Sequence, residues 1–179
     1  MAQWPELSYA SWRETCTALH LWSQIAGKIR LAQTPWLNHS WHVALYVTPR
    51  GLTSSPIPDG ERSFELLFDF VRSALRIETS DGAERAIALK PRSVADFYAE
   101  VRSVLAELGI RAQISELPNE IPNAVRFSED TAVRAYSPDD ALRFWRALVQ
   151  IDRVFKRFRT GFLGKTSPVH FFWGSFDLA

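Results

Sequence analysis

Apolar and aromatic side chains recur at helical spacing through Trp12, Cys16, Leu19, Ala26 and Ile29, in a stretch without proline and with a single Gly27. This pattern predicts a long first helix over residues 9–32, closed by Thr34-Pro35. Residues 40–48 (SWHVALYVT) have strand length and β-branched, aromatic content, and Pro49 ends that strand. Residues 49–62 are dense in Pro, Gly and Ser and are expected to be either a disordered connection or a loop over a site. Over residues 63–71, Phe64, Leu66, Phe68 and Phe70 alternate with Glu65 and Asp69, the period-two signature of a strand with one buried face. Residues 75–79 and 85–89 flank Ser80-Asp81-Gly82-Ala83, whose Asp-Gly pair suits the positive φ values of a tight hairpin.

A second helix begins at Ser93, whose hydroxyl can accept the unpaired N–H of Asp96, and Gly109 suits the left-handed residue beyond its end. Residues 111–117 read as a further strand and residues 118–129 as irregular. Ser137-Pro138-Asp139-Asp140 repeats the start signal for a helix reaching about residue 160. Residues 167–178 (SPVHFFWGSFDL) close the chain as one aromatic strand. The elements add up to an α+β fold, a mainly antiparallel sheet of five to six strands packed by three helices, in a single domain over residues 1–179.

Composition narrows the class. With 46% hydrophobic and 23% charged residues, a packed core is affordable and a disordered or membrane-spanning chain is excluded. A net charge of +1 supplies no global attraction to nucleic acid or an anionic membrane. Cys16 is the only cysteine and cannot form an internal bridge, so a reduced, cytoplasmic setting is the expectation. The unusual part is local. Seven Trp and seventeen Arg are many, and Arg143, Arg146, Arg153 and Arg157 fall with Gln150 on one face of the last helix. That strip reads as a solvated helix face, with phosphate or an acidic protein surface as the functional alternative.

His20, Gln24 and Lys28 stack along one stripe of the first helix, either as the wall of a site or as a solvated face beside the core. His39 and His42 lie at the entry to the first strand and reach one side only if His39 is still in the loop. A divalent metal is conceivable if His20, His39, His42 and His170 converge with Asp69 or Asp177, although a hydrogen-bonded or surface imidazole is the favoured reading of each. Gly164-Lys165-Thr166 lacks the earlier glycine and the strand-then-helix context of a phosphate loop. Ser167 with His170, and Cys16 inside a helix, lack the architecture of activated nucleophiles.

The blocks TALHLWSQIAGKIRL, NHSWHVALYVTPRGLTSSPIP, LKPRSVADFY, RFWRAL and GKTSPVHFFWGSFDLA resemble, in this order, an uncharacterised bacterial family known only as a domain of unknown function. The resemblance covers nearly the whole chain and singles out His20, Gln24, Gly27, Lys28, Asn38, His39, Arg50, Gly51, Lys165, Ser167, His170, Trp173 and Asp177, without a reaction. It also implies longer relatives, so the chain is expected to be a short or truncated member, in the latter case with Phe171, Phe172, Trp173 and Phe176 forming an apolar patch.

These readings combine into a small-molecule-binding protein or enzyme. Its expected pocket lies between the first helix, residues 38–42 and the final strand. His20, His39, His170, Lys28 and Lys165 would supply acid, base or anion-holding groups there, and Gln24, Asn38, Trp22, Trp41, Arg50, Ser167 and Trp173 would contact the substrate. The alternative is a non-catalytic protein-interaction module using the Arg strip and the C-terminal aromatics; single-stranded nucleic acid is the weakest reading.

Overall fold

A computed structural model describes residues 4–179. Three α-helices are present among them, α1 (Tyr9–Gln33), α2 (Val94–Glu107) and α3 (Pro138–Arg159). The strands are β1 (Tyr46–Val47), β2 (Gly51–Thr53), β3 (Ile57–Asp59), β4 (Arg62–Asp69), β5 (Ala74–Thr79), β6 (Glu84–Ala88), β7 (Phe171–Phe172) and β8 (Asp177–Leu178). The first six form one antiparallel sheet in the order β1-β2-β4-β5-β6, with β3 also paired to β4, and β7 with β8 makes a separate hairpin. An α+β fold with a mainly antiparallel six-stranded sheet packed by three helices is therefore what the chain adopts.

The alternation along β4 explains the sheet. Phe64, Leu66 and Phe68 are buried while Glu65 and Leu67 are half-buried, and register places Phe64 opposite Thr79, Leu66 opposite Ile77 and Phe68 opposite Leu75. A one-residue slip would turn all of these outward. The β5–β6 turn has Gly82 at φ 90°, as its Asp-Gly pair demands. Leu52, Ile57, Leu75, Ile77 and Ile87 join the same core as Trp22, Ile25 and Ile29 of α1. The helix caps follow the sequence: Ser93 accepts the N–H of Asp96 at 3.0 Å, Ser137 accepts that of Asp140 at 3.2 Å, and Gly109 sits at φ 71° past α2. The Ser137 N–H donates in turn to Thr15 Oγ of α1 at 2.9 Å, which ties the start of α3 to the central helix.

Four segments differ from the sequence expectation. Of residues 40–48 only Tyr46–Val47 is strand, because Asn38–Ser40 forms a short helical turn in which His39 and Ser40 both take φ 56°. Residues 49–62 are neither disordered nor a lid; they contain β2 and β3, two pieces of one bent edge along β4. The bend is made by Ser55 at φ 57°, and the Ser54 hydroxyl accepts the Leu66 N–H at 3.0 Å in place of a ladder carbonyl. Residues 111–117 keep an alternating burial but join no ladder, since Ile114 packs on the core while the backbone reaches only Phe127, whose N–H donates to Glu116 O at 3.0 Å. Residues 167–178 fold back on themselves as the β7–β8 hairpin, turned at Phe176 with φ 59°. That hairpin hooks onto the chain before β1 through the paired backbones of Leu45 and Phe171 at 2.9 and 2.7 Å.

Candidate functional site

Every residue from Leu21 to Arg30 of α1 is buried, polar ones included. Such groups need partners inside the protein: Ser23 donates to the His20 carbonyl and Arg30 to the Ala44 carbonyl, Gln24 and Lys28 meet Asn119, and the half-buried His20 just before them meets the β7–β8 turn. Gln24 grips Asn119 twice, donating from Nε2 to its carbonyl oxygen at 2.8 Å and accepting its N–H on Oε1 at 2.7 Å. Lys28 donates from Nζ to Asn119 Oδ1 at 2.9 Å. Burial pushes the Lys28 ammonium below the usual lysine range, because water is removed from the charged form. His20 lies with Nε2 2.8 Å from Gly174 O; facing a carbonyl, that nitrogen carries the proton and donates.

Beside this polar stripe, a cavity of about 370 Å³ opens between Leu31 of α1, Ser40 and Val43, Asn119-Glu120, and residues 172–175. Its firmest wall is Trp173. The indole Nε1–H donates to Val43 O at 2.8 Å, and the ring lies so close to Gly27 that an added Cβ there would come within 2.1 Å of it. Glycine inside a helix costs about 1 kcal/mol relative to alanine, and here it makes room for the indole. The Glu120 carboxylate reaches the backbone of Gly174, where an added Cβ would stand 2.9 Å from Oε1.

The remaining residues singled out in the sequence are spread apart. Trp22 is wholly buried, its ring 4.8 Å from Phe97 and 5.4 Å from Tyr136, so it belongs to the core. Arg50 pairs with the buried Asp69 at 2.8 Å. Burial alone would raise the Asp69 pKa, but the hydrogen bond from Arg50 and the backbone N–H of Arg72 outweigh it and hold the carboxyl below its ordinary value. Asn38 and His39 are exposed, and Trp41 is half-buried with its ring 5.0 Å from that of His39. His42 is buried and accepts the Leu37 N–H on Nδ1 at 3.1 Å. His170 is buried too; its Nδ1–H donates to Pro168 O at 2.6 Å and its ring stands edge-on to Phe172. Lys165 is exposed and Ser167 half-buried. Among the described residues, no group of three or more His, Cys, Asp or Glu is placed to hold a metal ion.

The far half of α3 is built differently. Arg143, Arg146, Arg153 and Arg157 all face water. Beyond Asp152 the end of the helix and the turn after it leave apolar side chains uncovered: Phe158 is 86% exposed, and Phe162 and Leu163 in the turn are 61% and 99% exposed. Residues 153–165 hold five basic side chains and no acidic one. A groove of about 300 Å³ runs beneath this tip, between Phe155 and Phe158 on one side and Ser167, Pro168 and Val169 on the other. The expected patch of Phe171, Phe172, Trp173 and Phe176 does not form. Phe171 and Trp173 are buried and the other two pack partly against the core, because the hairpin turns Phe171 and Phe176 onto Phe144, Phe172 onto His170 and Trp173 onto Gly27.

Neither the cavity nor the basic tip carries a signature of one reaction, so kinship is the remaining guide. The model of a family of unknown function, DUF5996, matches residues 4–179. The chain belongs to the DUF5996 family. No curated protein and no solved structure matches it. No described helix of this DUF5996 chain is long and apolar enough to cross a membrane. Sequence reasoning missed Asn119 and Glu120, which lie in a segment without periodicity, and it did not single out Phe155 or Phe158. The run of bases without acids after Asp152, ending in a Gly-bracketed turn, was the available signal for the exposed tip.

Proposed function

We propose that this DUF5996 protein is a non-catalytic interaction module whose docking face is the distal half of α3 with residues 160–169, and whose partner is a protein segment bearing acidic and apolar side chains. The observation that carries this reading is the exposure of Phe158, Phe162 and Leu163 within residues 153–165, a stretch whose charged side chains are all basic. Contiguous exposed apolar surface of this kind marks interaction sites, and aromatic residues with Arg are the side chains enriched where proteins meet. The shape supports a peptide. A groove floored by Pro168 and Val169 and walled by Phe155 and Phe158 receives an inserted side chain, while Arg159, which also lines it, attracts a carboxylate.

Panning a displayed random-peptide library against the whole chain tests this. The expected outcome is enrichment of peptides combining Asp or Glu with Leu, Ile or Phe, whose binding weakens about tenfold or more in the double variant Phe158→Ser/Leu163→Ser. No enriched class, or binding indifferent to the double variant, overturns the reading. Sedimentation with vesicles of phosphatidylserine and phosphatidylcholine, or self-association abolished by the same variant, would reassign the face to a membrane or to a second copy.

A further inference from the structure

The cavity beside α1 has adjacent residues with opposite demands. Lys28 fixes the Asn119 side chain by donating to Oδ1, so the amide's NH₂ end is turned away from the ammonium while the residue itself lines the cavity. The backbone of Asn119 is locked by Gln24 at both its N–H and its carbonyl. The donor is therefore held in position before any ligand arrives. Next to it, Glu120 takes φ 58°, a left-handed conformation that disfavours a side-chain-bearing residue, and its carboxylate makes no ion pair among the described residues. Strain of this kind persists where the surroundings enforce it, and it clusters at ligand sites. Gly174, lacking a Cβ, is what lets that carboxylate lie against the turn. The rest of the wall sets the apolar side chains of Leu31, Val43 and Phe172 and the pinned indole of Trp173 beside Gly174 and two serines, Ser40 and Ser175.

A simple anion entering the cavity meets Glu120, and a simple cation meets the amide donors backed by Lys28. A molecule with a carboxylate and an ammonium on one carbon, followed by an apolar group, satisfies both. We propose that the cavity is a binding site for a free α-amino acid with an apolar side chain. Its carboxylate accepts from Asn119, with Lys28 behind that residue, its ammonium pairs with Glu120, and its side chain lies against Trp173 and Phe172. The volume of about 370 Å³ is within the range of small-molecule sites. This site is independent of the α3 tip.

Titration calorimetry of the whole chain with leucine, phenylalanine and methionine, beside the N-acetyl and methyl-ester forms of each, is the test. At least one free amino acid should bind, with each blocked form about tenfold or more weaker, since each loses a charge-assisted contact. Glu120→Gln, at an exposed position, should leave the melting temperature unchanged and weaken the free amino acid by a similar factor while leaving its N-acetyl form unaffected. Lys28→Met should weaken binding through the carboxylate; if that variant does not fold, Glu120→Gln still decides. Absence of heat with every free amino acid up to about 10 mM, a concentration that reveals even millimolar affinity, overturns the proposal. So does binding that ignores the blocking groups or Glu120→Gln.

Discussion

Along α1, His20, Gln24 and Lys28 recur every four residues, and along α3 Arg143, Arg146, Gln150, Arg153 and Arg157 follow at alternating steps of three and four. The two rhythms are nearly the same, but the outcomes are opposite. The stripe of α1 is enclosed by residues 118–120 and 173–175, and each of its polar groups ends on a fixed acceptor or donor. The stripe of α3 stays in water, and past Asp152 its apolar neighbours stay exposed with it. Periodicity therefore describes which side chains share a face, and whether that face is buried depends on what the rest of the chain lays over it.

The contrast is most directly broken at Trp22. Trp22→Ala should cost about 3–5 kcal/mol, read as a lowered urea midpoint, since it empties a fully enclosed indole site against Phe97 and Tyr136. A loss comparable to a surface change would mean that α1 is not the centre of the core.

Tyr136 joins the two helices, packing on Trp22 one residue before the Ser137 cap. Burial pushes its pKa up to about 12, whereas an unfolded tyrosine ionises near 10. Between those values the folded protein keeps a proton that the unfolded chain has lost, so stability should fall as pH rises, by roughly 2–3 kcal/mol across the window. Below the unfolded value both states are protonated and the effect vanishes. Urea titrations on either side of about pH 10 should show this slope in the wild type and its absence in Tyr136→Phe.

Gln24→Ala should cost about 1–3 kcal/mol, because it strands the Asn119 N–H and carbonyl that the amide now satisfies. Hydrogen exchange at the Asn119 amide should accelerate at the same time; unchanged protection would show that α1 does not lock the loop. The smallest effect belongs to α3, where Phe158→Ser should change stability by less than about 0.5 kcal/mol. A larger loss would place that ring in a packed setting and sharpen the contrast in the other direction.

Much of the fold was legible. The alternation of Phe64, Leu66 and Phe68, the Asp81-Gly82 turn and the Ser93 and Ser137 caps are local signals whose physics acts within a few residues, and each is found where the sequence puts it. The Pro49–Arg62 run was misread because Ser54 and Ser55 build a bend that imitates a loop. The single final strand was misread because a positive φ at Phe176 leaves no mark in composition. At the candidate site, Gln24, Lys28 and Trp173 stood out as residue types, but Asn119 did not, since it lies 95 and 91 positions from its partners Gln24 and Lys28.

By itself the sequence determined the helices, the antiparallel core of the sheet and the grouping of polar side chains into stripes, because backbone propensity, capping and alternation are short-range. Only the tertiary structure decided that Arg50 serves a buried Asp69, that Trp22 is core and Trp173 cavity wall, and that Phe158 and Phe162 stay exposed while Phe171 and Trp173 are buried. Those outcomes depend on which distant segment desolvates which face, a choice made by packing the whole chain at once.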